Sequence, residues 1–177
     1  GGDEFWEAAE DFGFGQEIPF DLPVSTSRLA SSEDFLDSSN AIADTGFGQG
    51  QIQVSPLHMA LITAGFVNDG VIMVPRLVDA VVSEDGDVIE TKPTEEWLQP
   101  ISPETAEDVE QMMVDTVTSG SVQGAQAPGY TIGGKTGTAE TSTDTPHSWF
   151  IGFIGEPGQK PRYAVAVVLE QGTSGLA

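Results

Sequence analysis

The sequence predicts an α+β fold in which helices come first and an antiparallel sheet closes the chain. Three observations carry this. Ser55-Pro56 and Ser102-Pro103 each open a run with apolar residues at helical spacing, serine as N-cap and proline in the first turn. Asp85-Gly86 lies between two β-rich runs, Arg76–Ser83 and Asp87–Thr91, the pattern of a hairpin. The last third holds three further β-type runs, Tyr130–Ala139, Ser148–Ile154 and Tyr163–Glu170.

The elements follow in order. Asp3 is placed to cap a first helix with Phe5, Ala8, Ala9 and Phe12 on one face, and Gly13 stops it. From Gly13 to Gly50 the chain is loop-rich, with Pro19, Pro23 and Gly46-Phe47-Gly48-Gln49-Gly50. A loop region of that length borders a site or covers one. The second helix should bury Leu57, Ala60, Leu61 and Ala64 and end near Asn68-Asp69-Gly70. The third should bury Ala106, Val109, Met112, Met113 and Val117 and close at Gly120. Tyr163–Leu169 is nearly all apolar, which predicts a central strand covered on both faces. Residues 1–120 therefore read as mainly helical and loop-rich, and 121–177 as the sheet region.

Composition narrows the function. The 177 residues fit a single domain, and 38% apolar content plus 21 glycines is enough for a packed core. Against 28 acidic residues stand 6 basic ones, a net charge of −22. A nucleic-acid surface needs clustered Lys and Arg, and an anionic membrane surface needs the same sign. Both readings fail. The chain has no cysteine, so disulfides, thiol catalysis and zinc–thiolate sites drop out. No apolar run approaches the roughly 18 residues that span a bilayer. Gly1-Gly2 leading straight into a helix reads like a cut, and the expectation is a piece of a longer protein.

The segment Gly133-Gly134-Lys135-Thr136-Gly137-Thr138-Ala139-Glu140 carries chemistry on two readings. Gly129 to Thr136 matches the phosphate-loop pattern G-x-x-x-x-G-K-T. That pattern needs a helix after the lysine, and Gly137, several threonines and Pro146 make a poor helix start. The other reading is a Lys-Thr-Gly-Thr strand edge lining an acyl-transfer site. There a lysine offers charge to a substrate carboxylate, threonine hydroxyls add hydrogen bonds, and main-chain N–H groups can hold an oxyanion. The bland alternative is an exposed lysine in a turn. Elsewhere the signals are weaker. His58 and His147 lack a third ligand at usable spacing, so no metal is expected. Ser119 and Ser121 read as turn residues. Trp149, Phe150 and Phe153 read as core rather than as a ligand platform.

Four ordered segments make the second reading specific: Phe12-Gly-Phe-Gly15 with Ile18-Pro-Phe-Asp-Leu-Pro23, Gly48-Gln-Gly50 with Ser55-Pro-Leu-His-Met-Ala60, Val117 through Glu140, and His147-Ser-Trp-Phe-Ile-Gly-Phe153. Together they resemble the transpeptidase domain of class B penicillin-binding proteins. The resemblance implies a penicillin-binding-protein/serine β-lactamase-like fold, incomplete in this chain. That family uses Ser-x-x-Lys, Ser-x-Asn and Lys-Thr-Gly. No serine here has lysine three positions on. Ser38-Ser39-Asn40 is a literal Ser-x-Asn, but it follows Phe-Gly-Phe-Gly where the family's copy precedes it, so it reads as a loop coincidence. The chain stops at Gly175-Leu176-Ala177, where the family's final helix would begin.

What the resemblance implies is a D,D-transpeptidase that cross-links peptidoglycan stem peptides through a serine acyl-enzyme, with the serine outside this chain. Lys135 would be catalytic, and Thr136, Gly137 and Thr138 would bind substrate. Implied partners are stem peptides, β-lactam antibiotics, the missing N-terminal half and other cell-wall synthesis proteins. No cofactor is implied. The location would be the outer face of a bacterial cytoplasmic membrane, reached through an upstream anchor. A serine β-lactamase-related hydrolase and a non-catalytic transpeptidase-like module remain the alternatives.

Overall fold

A computed structural model describes residues 1–141 and 145–172. Its centre is a three-stranded antiparallel sheet of β5 (Thr131–Ala139), β6 (His147–Gly155) and β7 (Tyr163–Leu169), in that order. Each strand lies within two residues of its expected bounds. The register pairs Gly133 with Phe153, Lys135 with Ile151, Gly137 with Trp149 and Ala139 with His147. These pairs share one face, because side chains alternate along a strand. On β7 the same face carries Ala164, Ala166 and Val168.

Helix α3 (Pro56–Phe66) packs on β6 and β7, and α4 (Pro103–Thr118) packs on β5. Both begin as expected: Ser55 Oγ accepts from the His58 N–H, and Ser102 Oγ from that of Thr105. The core between sheet and helices holds Ile62, Ala106, Met113, Val117 and Phe153. The hairpin also forms, as β2 (Ala80–Val82) and β3 (Val88–Thr91) around Gly86. A small pair, β1 (Ile72–Met73) and β4 (Glu96–Leu98), ties the hairpin's base to the helices. Strands of two and three residues leave no periodicity to read in the sequence.

Other expectations need correction. Helix α1 spans Gly2–Asp11 with Gly1 as its cap, so Asp3 lies inside the first turn, where its charge suits the helix dipole. Within the loop-rich stretch stand a 3-10 turn (Glu33–Asp37) and helix α2 (Ser39–Gly46). Ser39 and Asn40 thus begin a helix rather than sit in a loop. The fully buried residues of α3 are His58, Ile62, Thr63 and Gly65, while Leu57, Ala60, Leu61 and Ala64 are half-buried. A helix lodged against both the sheet and β1 has no single buried stripe. On α4, Met112 is exposed.

The largest departure is β7. Tyr163, Val165, Val167 and Leu169 are exposed, and the strand lies at the sheet's edge among the described residues. One face is covered by α3 and the other is bare. The apolar run identified a strand with two apolar faces; only the packing shows that one has no cover. Ser142-Thr143-Asp144 and the Gly175-Leu176-Ala177 end lie outside the described residues.

Candidate active site on the Lys-Thr-Gly edge

Lys135, Thr136, Gly137 and Thr138 lie together in the C-terminal half of β5. The two glycines before Lys135 serve packing. A Cβ at Gly134 would lie 2.6 Å from the Phe150 ring, closer than a real Cβ tolerates, so only glycine lets the strand lie flat there. This disposes of the phosphate-loop reading for residues 129–136. Gly133 and Gly134 are mid-strand, and Lys135 continues the strand rather than opening a helix.

A cavity of about 410 Å³ opens beside this edge. One wall is Lys135 to Glu140 with His147, Trp149 and Ile151 of the sheet. The other is Phe47, Gly48, Ile52 and Val54 from the loop after α2, with Met59 from α3. The two walls come from residues about 90 apart in sequence, a convergence no local pattern displays. Lys135 is exposed, with Nζ close to the Thr136 carbonyl oxygen. Gln49 Nε2 donates to the Thr138 carbonyl at 3.1 Å. Both carbonyls therefore take donors from outside the ladder with β6, and β5 offers its second edge to the cavity. Thr136 and Thr138 are two apart and present their main-chain groups in the same direction.

The sequence reading of the aromatics holds only in part. Phe153 is core, but Trp149 lines the cavity. His147 also lines it, and its Nδ1 accepts the N–H of Gln171 at 3.1 Å. The register opposite Gly137 and Ala139 is what places them there. Ser38, Ser39 and Asn40 are not among the lining residues. His58 is buried, its Nε2–H donating to the Phe12 carbonyl, and burial lowers its pKa. Among the described residues, no group of three His, Cys, Asp or Glu could hold a metal ion. Among the same residues, no helix is long and apolar enough to cross a membrane.

The model of the penicillin binding protein transpeptidase domain matches residues 1–177 in full. The chain belongs to this family. Penicillin-binding protein 3 of Bacillus subtilis is 36% identical over 162 residues, covering 86% of this chain and 23% of that protein. Peptidoglycan D,D-transpeptidase PbpA of Mycolicibacterium smegmatis is 33% identical, covering 100% of this chain and 36% of the relative. Among solved structures, the D,D-transpeptidase domain of a peptidoglycan glycosyltransferase from Eggerthella lenta superposes with a TM-score of 0.87 at 33% identity. That match covers 99% of this chain and 45% of the other. Penicillin-binding protein A of M. tuberculosis, as an imipenem acyl-enzyme complex, gives 0.83 at 34% identity, over 96% and 38% of the two chains. This member of the family thus spans less than half the length of these relatives, and its α+β fold is theirs.

Proposed function

We propose that this chain is the later part of a D,D-transpeptidase domain and supplies the substrate-aligning edge of its active site. Residues 1–120 carry the helices and the loop wall of the cleft, and residues 121–177 the sheet with Lys-Thr-Gly-Thr. The observation that carries the reading is the open edge of β5 facing a cavity, with Lys135, Thr136 and Thr138 at its mouth. An extended peptide can add to such an edge as a further strand. A stem peptide ending in D-Ala-D-Ala would lie along it, its carboxylate against the hydroxyls of Thr136 and Thr138.

The chemistry is acyl transfer in two steps. A serine Oγ from the upstream part of the domain attacks the carbonyl between the two D-alanines. The tetrahedral oxyanion is held by main-chain N–H groups, that of Thr138 among them. The C–N bond breaks, the terminal D-alanine leaves with a proton, and an ester to serine remains. The amine of a neighbouring stem attacks the ester, forms the cross-link and returns the proton to serine. Lys135 supports proton transfer through a serine of the upstream Ser-x-Asn. β-Lactams, which mimic the D-Ala-D-Ala amide, would acylate the same serine. The domain would work on the outer face of the cytoplasmic membrane, held by an upstream anchor and in contact with other cell-wall synthesis proteins.

The test is acylation by a labelled penicillin of the domain restored with its upstream part. Label should appear on an upstream serine by peptide mapping. Lys135→Ala should weaken acylation by roughly 2–4 kcal/mol, the scale of one preorganised electrostatic contact. Unchanged acylation of that variant would remove the assignment of the site.

A further inference from the structure

Gln49 is joined to the candidate site by geometry that its sequence neighbours explain. Helix α2 ends at Gly46, and the next turn is closed by two main-chain bonds, Gly48 N–H to Thr45 O and Gln49 N–H to Asp44 O, both at 2.9 Å. Gly48 and Gly50 flank it with φ of +85° and +77°, conformations that side-chain-bearing residues rarely adopt. Thr45 is buried, and it packs against Gly50. The Gln49 backbone is thus held by a helix end and two left-handed glycines. Its side-chain amide reaches across to β5 and donates to the Thr138 carbonyl at 3.1 Å.

Thr138 sits one residue from the end of β5. A strand end that pairs on one side only has little to hold its peptide planes in line. The Gln49 amide supplies a second anchor, on the side from which a substrate strand would arrive. The carbonyl retains its other lone pair for that strand.

We infer that Gln49 is a positioning residue for the transpeptidase reaction: by tying the α2 loop to the Thr138 carbonyl it fixes the peptide unit that aligns the substrate. The inference rests on the Lys-Thr-Gly reading of the site. It places the effect on the acylation step rather than on initial binding, because misplacing an oxyanion donor by a fraction of an ångström costs rate first.

The experiment uses the domain with its upstream part and a labelled penicillin, with initial affinity and the acylation rate measured separately. Gln49→Met keeps the length and loses the donor. It should lower the acylation rate about tenfold, the size of one directional hydrogen bond, with affinity and melting temperature close to those of the parent. Gln49→Lys restores an N–H donor of similar reach and should recover most of the rate. An acylation rate for Gln49→Met within twofold of the parent overturns the inference. So does a rise in rate, which would make the amide a competitor of the ligand, or equal loss in the Met and Lys variants, which would make the role one of packing. Lys135→Ala runs beside them. If it too acylates normally, the reading of the site has failed; if it is impaired while Gln49→Met is not, only the role of Gln49 has.

Discussion

Gly133 lies flat against the ring of Phe153: a Cβ at residue 133 would stand 2.1 Å from Phe153 Cζ. The ring is 1% exposed and sits at the centre of the core, so it has nowhere to turn. Gly133→Ala should therefore displace either the ring or β5. Overpacking of this kind costs about 1–3 kcal/mol, and thermal unfolding of the restored domain measures it. A melting temperature unchanged by the substitution would mean that the core yields where its packing says it should not.

The second prediction concerns His58. Its ring is buried between Phe14 and Trp97, with centroids 5.1 and 5.8 Å away, and Nε2 donates to Phe12. Nδ1 is buried without a hydrogen-bond partner, so protonation would put an N–H where nothing accepts it. Burial accordingly lowers the pKa from its ordinary 6.5. The unfolded chain takes up the proton at higher pH than the folded one. The stability contribution is thus full above about pH 6.5 and is lost as pH falls from there through the lowered folded-state value. Melting temperature should therefore fall as pH is lowered through that window, and His58→Gln should flatten this dependence. A parallel slope in the variant would assign the effect to other groups.

The third concerns where the nucleophile lies. The isolated chain should not take up a labelled penicillin, because no serine in it has lysine three positions on and a serine without such a base is a weak nucleophile. Ser38→Ala and Asn40→Ala should leave acylation of the restored domain essentially unchanged. Peptide mapping after labelling reads both. Label on Ser38 or Ser39 in the isolated chain would move the site to the start of α2.

The fourth concerns the bare side of β7. Tyr163, Val165, Val167 and Leu169 form an exposed apolar row on an edge strand, a surface that invites pairing with another chain. Expressed alone, the chain should self-associate. Val165→Lys with Val167→Lys should shift it toward monomer in sedimentation equilibrium. A parent chain that is monomeric across the concentration range would mean that this row tolerates water.

Much of this was legible from local patterns. Ser55-Pro56 and Ser102-Pro103 marked α3 and α4 because capping acts within four residues. The β-type runs marked β5 to β7 because side-chain alternation repeats every two. Lys135, Thr136, Gly137 and Thr138 stood out because an uncommon lysine sat among glycines and hydroxyls. Helix α2 was hidden, since Ser39-Asn40-Ala41 opens it without a clear apolar face. The β1–β4 pair was too short to leave a period.

The sequence alone determined the α+β class and the strand that carries Lys-Thr-Gly-Thr. Those follow from interactions between residues near each other along the chain. Only the tertiary structure decided that Gln49 reaches Thr138, that Trp149 and His147 line the cavity, and that one face of β7 is bare. Each depends on which surfaces meet across roughly 10 to 110 residues of chain. Local propensity is silent about such meetings, because burial and register are settled jointly by every element that packs.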